Sequence, residues 1–130
     1  MASELRVNTL KDASGNNSVA TSVVFNGSAK VYISIPQDQA SISKSFNVSS
    51  LDDDGTGDGG INITNAFSDA NHAVTMSITY DSGAGDVTRN AYVSTQTAST
   101  IETKSGYSGQ SADFTFYDVI RAYASHGDLA

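Results

Sequence analysis

Apolar and polar residues alternate with period two along most of the chain, the pattern of strands that bury one face. Near the start, Leu5, Val7 and Thr9 alternate with Glu4, Arg6 and Asn8, which predicts a short strand. A dense turn signal follows from Asp12 to Ser18, and VATSVVFNGS then supplies a second short apolar stretch. Two short strands are marginal on their own in water. Residues 1–27 therefore read as an arm that rests on the main domain, a sister chain or a larger particle.

From Ala29 onward the alternation strengthens. Val31, Ile33 and Ile35 share a face, and Pro36, the only proline, ends that run. Ile42, Phe46 and Val48 share a face with Lys44. LDDDGTGDGG, Leu51 to Gly60, reads as a hydrophilic loop, after which Ile61 and Ile63 resume the pattern and NAFSDANHA forms a turn-rich link. The clearest strand is AVTMSITY, with Val74, Met76, Ile78 and Tyr80 on one side and Thr75, Ser77 and Thr79 on the other. DSGAGD, Asp81 to Asp86, has the residues of a hairpin connection into VTRNAYVST, where Val87, Ala91 and Val93 oppose Tyr92. STIETK is a weaker strand and KSGYSGQSAD a loop. DFTFYDVIRAYAS is apolar on both sides, as a central strand would be, with a short helix from Asp118 as the alternative. Roughly seven or eight strands result, predicting an all-β, antiparallel β-sandwich of jelly-roll-like form over residues 28–130.

Composition agrees with that class. Ser, Thr, Asn and Gly make up about 40% of the 130 residues, charged residues only 16%, and Leu is scarce, which disfavours a helical bundle. Apolar residues are few, so the Ser/Thr faces are either solvated or covered by association with other chains. The formal charge of −7 makes the chain a poor binder of nucleic acid or anionic lipid. With no cysteine, disulfides and thiolate metal sites are excluded. No basic segment followed by an apolar one opens the chain, and no apolar run is long enough to span a bilayer. Neither a signal peptide nor membrane insertion is expected.

Candidate chemistry is sparse. His72 and His126 lie far apart and show no metal-ligand spacing; each is expected at the surface or an interface. No serine sits in a GxSxG setting, so no catalytic residue is assigned and the protein reads as a non-enzyme. Asp52, Asp54 and Asp58 are the best calcium candidates, although the loop lacks the glycine and glutamate positions of an EF-hand, and Asp-Gly turns are ordinary loop chemistry. GTGDGG does not open a helix after a strand, so nucleotide binding is rejected and no cofactor is expected. Sequons at Asn16, Asn26, Asn47 and Asn62 are what a Ser/Asn-rich chain contains by chance. Tyr32, Tyr92 and Tyr107, with Tyr117 and Tyr123, are candidates for receptor or interface contact; cross-strand packing is the plainer reading.

Two segments, SELRVNTLKDASGNNSVATSVVFNGSAK and Ser45 to Thr75, SFNVSSLDDDGTGDGGINITNAFSDANHAVT, carry a resemblance. They are similar to segments of tail-fibre-like and other virion surface proteins of marine and cyanobacterial phages, and the ending GDLA also resembles theirs. The resemblance covers about half the chain. It departs from the family where VYISIPQDQ lacks the usual aromatic residues, where His72 replaces a usual Tyr, and in RAYASH before GDLA. Asp81 to Gln110 resembles nothing in that family. The resemblance implies a homotrimeric, non-enzymatic virion protein, made in the host cytoplasm and displayed on the particle surface. In that reading the arm docks it to a capsid or tail component, with Leu5, Val7, Leu10, Val23 and Phe25 as attachment residues. A capsid decoration or knob protein is the first expectation, because no shaft-forming repeat separates arm from domain. A short tail appendage or fibre binding a host-surface glycan is the alternative.

Overall fold

A computed structural model of the chain describes residues 3–79, 88–108 and 114–130. In chain order the elements are β1 (Thr9–Lys11), β2 (Ser18–Ala20), α1 (Thr21–Gly27), β3 (Val31–Ile35), β4 (Lys44–Phe46), β5 (Val48–Gly55), β6 (Asp58–Ile63), β7 (Ala73–Thr79), β8 (Thr88–Gln96), β9 (Thr100–Ser108), β10 (Phe114–Phe116) and β11 (Ile120–His126). Among the described residues every strand pairing is antiparallel, and the structure is all-β but for one short helix. One sheet has the order β4-β3-β11-β7. In the other, β9 is central: β8 runs along one side of it, β6 and β10 lie on the other, and β5 flanks β6. The pair β1-β2 stands apart from both.

The core draws on both sheets. Val31, Ile33 and Ile35 of β3 and Tyr123 of β11 meet Ile61 and Ile63 of β6 and Ile101 of β9, with Phe67 from the link after β6. Period-two burial along β3, β9 and β11 produces this directly, alternate residues of each strand being enclosed. Towards one end the enclosed positions turn polar. Thr103 and Ser105 are fully buried, and their hydroxyls donate to the carbonyls of Gly59 at 2.8 Å and Tyr117 at 2.9 Å. Hydroxyls satisfied by backbone carbonyls let Ser/Thr positions fill a core without stranding a polar group.

Several elements differ from the sequence expectation. Leu51 to Gly60 is a hairpin of β5 and β6 that turns at Thr56 and Gly57, not a loop; its aspartates and its other glycines lie within the two strands. STIETK and the start of KSGYSGQSAD form the central strand β9, because neighbours on both sides satisfy its backbone. The described part of DFTFYDVIRAYAS, Phe114 to Ser125, is neither one strand nor a helix, and Asp113 lies outside the described residues. Residues 117–119 cross between the sheets, and Tyr117 N donates to the Ser105 carbonyl at 3.1 Å at the crossing. In the arm, VATSVVFNGS splits into the three-residue β2 and α1. Beyond Ala20 no strand lies alongside, so the backbone closes its hydrogen bonds within a helix. β7 and β8 belong to different sheets and do not pair; DSGAGD, expected as a hairpin connection, lies outside the described residues with Tyr80 and Val87.

Candidate functional site

Among the described residues, more than half of the exposed large apolar side chains lie in residues 1–27. No residue of β1, β2 or α1 is buried. Leu5 is 81% exposed and Phe25 64%, and Val7, Leu10, Val19, Val23 and Val24 are also open to solvent. All five expected attachment residues are therefore on the surface. The arm is ordered by its own contacts. Asp12 accepts hydrogen bonds from Ser14 Oγ, Asn16 N and Asn17 Nδ2, and the Asn17 bond leads in holding its carboxyl below the usual range. Thr21 Oγ1 donates to the Val7 and Asn8 carbonyls. Lys30 Nζ donates to the Phe25 carbonyl and ties the end of α1 to the domain.

The acidic stretch splits into two groups on the outer face of the β8-β9-β6-β5 sheet. Asp52 and Asp54 come together with Glu102 of β9, their carboxylate oxygens all within 4.8 Å of one another. Asp58 instead accepts from Lys104 Nζ at 2.7 Å. Two of the three calcium candidates are thus brought together and the third is paired with a cation. Gly60 lies between Asp52 and Glu102 in the ladder, and a side chain there would collide with the Glu102 carboxylate. Three carboxylates could contribute to a cation's shell, but calcium takes six to eight oxygens. Glu102 escaped the sequence reading; a glycine inside a strand pattern, which marks close approach, was the available signal.

Burial pushes the Glu102 carboxyl above its ordinary value of 4.5, and repulsion from Asp52, Asp54 and Asp58 adds to the rise. The folded state therefore holds this proton more tightly than the unfolded chain does. Its contribution to stability is present below the ordinary value and is lost as pH rises through the raised one. Glu102→Gln is expected to stabilise the protein at pH 7 by about 0.5 kcal/mol, solvent screening keeping the effect small. Urea unfolding at pH 7 and at pH 4 checks this: the gain should shrink at the lower pH.

The candidate tyrosines fall into different settings. Tyr92 is 47% exposed on the same outer face and meets Phe114 edge-on at 6.0 Å; Phe114 in turn meets Phe116 at 5.4 Å, and Lys104 Nζ lies 5.4 Å from the Phe116 ring. Aromatic rings and charged groups thus share one surface beside the carboxylates. Tyr32 is exposed on the other sheet but stacked on its cross-strand neighbour Phe46 at 5.9 Å. Tyr107 is half-buried, edge-on to Tyr117, with the Arg89 guanidinium over both rings. Tyr123 is in the core.

His72 is not a surface residue. It is buried, stacked on Phe67 at 4.0 Å, with Nδ1 2.6 Å from Ser125 Oγ and Nε2 donating to the Thr97 carbonyl at 3.0 Å. A serine–histidine contact would suggest a nucleophile, but Ser125 is fully enclosed and its hydroxyl also lies 3.0 Å from the Ala73 carbonyl. This pair fastens the link after β6 onto β11. His126 is half-buried at the end of β11.

Arg121 is another polar residue that the sequence pattern alone did not single out. It is 1% exposed; Nη1 donates to Ser105 Oγ at 3.1 Å, and Nη2 to Gln39 Oε1. Gln39 Nε2 donates to Asp118 Oδ1 at 2.6 Å, so the nearest carboxylate is reached through an amide. The period of two that runs through Arg121, Tyr123 and Ser125 was the signal. Comparison with known protein families, with curated proteins and with solved structures finds no match.

Proposed function

We propose that the protein is a non-enzymatic structural component of a phage virion, a two-layer β-sandwich displayed on the particle surface and held there by its N-terminal arm. A capsid decoration or knob protein is the preferred form. One observation carries the reading: an ordered arm whose apolar residues, Leu5, Val7, Leu10, Val23 and Phe25, lie open to solvent instead of in the core. Exposed apolar residues concentrated on one segment mark an interaction surface. The similarity of that same segment to virion proteins supports the assignment of the partner, a capsid or tail component. The thin core and acidic surface agree with a role that needs no nucleic acid, membrane or cofactor.

Antibody labelling of intact virions tests the location. Label spread over the head is expected, and virions devoid of the protein would overturn the reading. The triple substitution L5S/V23S/F25S is expected to reduce virion occupancy at least about tenfold. Its melting temperature should stay within about 2 °C of wild type, because none of these residues is buried. A variant that melts early but still loads normally would remove the arm from the attachment role.

A second reading is favoured by the surface where Tyr92, Phe114 and Phe116 adjoin Glu102 and the Lys104–Asp58 pair. Rings that stack on sugar faces beside groups that bind hydroxyls suit a glycan receptor. Label confined to the tail, with glycan-array binding lost in Tyr92→Ala, would establish the adhesin instead.

A further inference from the structure

An edge strand presents unpaired N–H and C=O groups, and native proteins blunt such edges with charge, proline, bulges or shortness. Three edges of the two sheets are treated that way. β4 is three residues long and contains Lys44. β5 has register breaks at Val48/Ser50 and Asp53/Gly55 and carries three consecutive aspartates. β8 is broken at Val93/Thr95 and carries Arg89. β7 has none of these devices. It pairs with β11 through seven consecutive residues without a register break, ends its sheet, and contains no charge and no proline. Among the described residues no strand pairs with its other edge.

Burial along the strand points the same way. Val31, Ile33 and Ile35 of β3 are at most 2% exposed, whereas Val74, Met76 and Ile78 of β7 face the same interior and are only half-buried. Val74 and Met76 pack against the core together with Val93 of β8, which approaches β7 without pairing with it. The strand's composition then names its partner. AVTMSIT is symmetric in residue type about Met76: Thr75 and Ser77 flank it, and Val74 and Ile78 lie beyond. An antiparallel copy placed on a two-fold axis through Met76 sets Thr75 opposite Ser77 and Val74 opposite Ile78 at both ends. Such pairs of hydroxyl and β-branched residues are favourable cross-strand neighbours. In a chain of net charge −7, an uncharged strand is also where two copies meet with least repulsion.

We propose that β7 is a self-association edge, through which two copies form a two-fold dimer with one continuous eight-stranded sheet. This isologous contact stands in place of the three-fold association that the family resemblance implies, and it does not depend on where in a virion the protein resides. Pairing lengthens the sheet past β7 and covers more of the half-buried Val74, Met76 and Ile78 of each copy.

Sedimentation equilibrium of the full chain tests the edge. Wild type is expected at twice the 13.5 kDa chain mass. The exposed positions 75 and 77 take charge without touching the core, so T75K/S77K and T75E/S77E should both fold, as circular dichroism checks. In each variant like charges face each other across the pair, and self-association should weaken at least about tenfold. Mixing the two should restore the dimer as a heterodimer. A wild-type monomer or trimer, a dimer that both variants leave intact, or variants that stay monomeric when mixed would each overturn the proposal.

Discussion

Gly57→Ala is expected to destabilise the folded domain by about 3 kcal/mol or more, read as a lower urea midpoint at unchanged slope. Gly57 sits in the turn between β5 and β6 with φ +67°, in the left-handed region where a side chain is strained. Its surroundings add a second cost. The Gly57 amide donates to Asp118 Oδ1 at 2.6 Å, and its carbonyl accepts from Ser105 N at 2.7 Å. A methyl group there would run into the Ser105 carbonyl oxygen of β9 and the Tyr117 nitrogen of the segment that crosses between the sheets, both backbone atoms. Relief requires moving the hairpin away from that crossing. Gly55 provides the control: it too has positive φ, at +129°, but open space around it. Gly55→Ala carries strain alone and should cost about 1 kcal/mol. Equal losses at the two positions would show that crowding at the crossing is unimportant.

Arg121 should separate charge from volume. Arg121→Ala removes a large enclosed side chain and both of its hydrogen bonds, and an expected loss of about 3 kcal/mol follows from the cavity and the unpaired Gln39 oxygen. Arg121→Met keeps most of the aliphatic stem and removes a guanidinium that burial already disfavours and that no carboxylate touches. Replacing a buried charge with an apolar group of similar size is often neutral or better. The methionine variant is therefore expected within about 1 kcal/mol of wild type. A loss as large as alanine's would mean that the hydrogen bonds to Gln39 and Ser105 dominate over the desolvated charge.

The strands with strong alternation were legible because a period of two depends on neighbours in sequence alone. Val31 to Ile35 and Ala73 to Thr79 are two such runs, and the structure places strands over both. The exposed arm was legible for a related reason: residues 1–27 contain too little apolar surface to form a core of their own. The central strand β9 was legible only weakly, at STIETK, since Ser105 and Gly106 look like a loop until strands on both sides satisfy their backbone. The acidic hairpin was misread in the same way, its Asp and Gly residues being turn formers by local preference but strand residues by pairing.

At the candidate sites the division is similar. Asp52, Asp54 and Asp58 stood out by composition, yet only the ladder across Gly60 decides that Glu102 joins the first two. Only the Lys104 contact decides that Asp58 does not. His72 and Arg121 are polar side chains whose burial depends on partners 53 and 82 residues away in sequence. By itself, then, the sequence determined the all-β class and the net negative charge, both properties of local pattern and composition. Strand order, the choice of edges and the membership of each polar cluster were decided only by tertiary structure, because backbone pairing and burial are satisfied between segments that nothing in their local sequence connects.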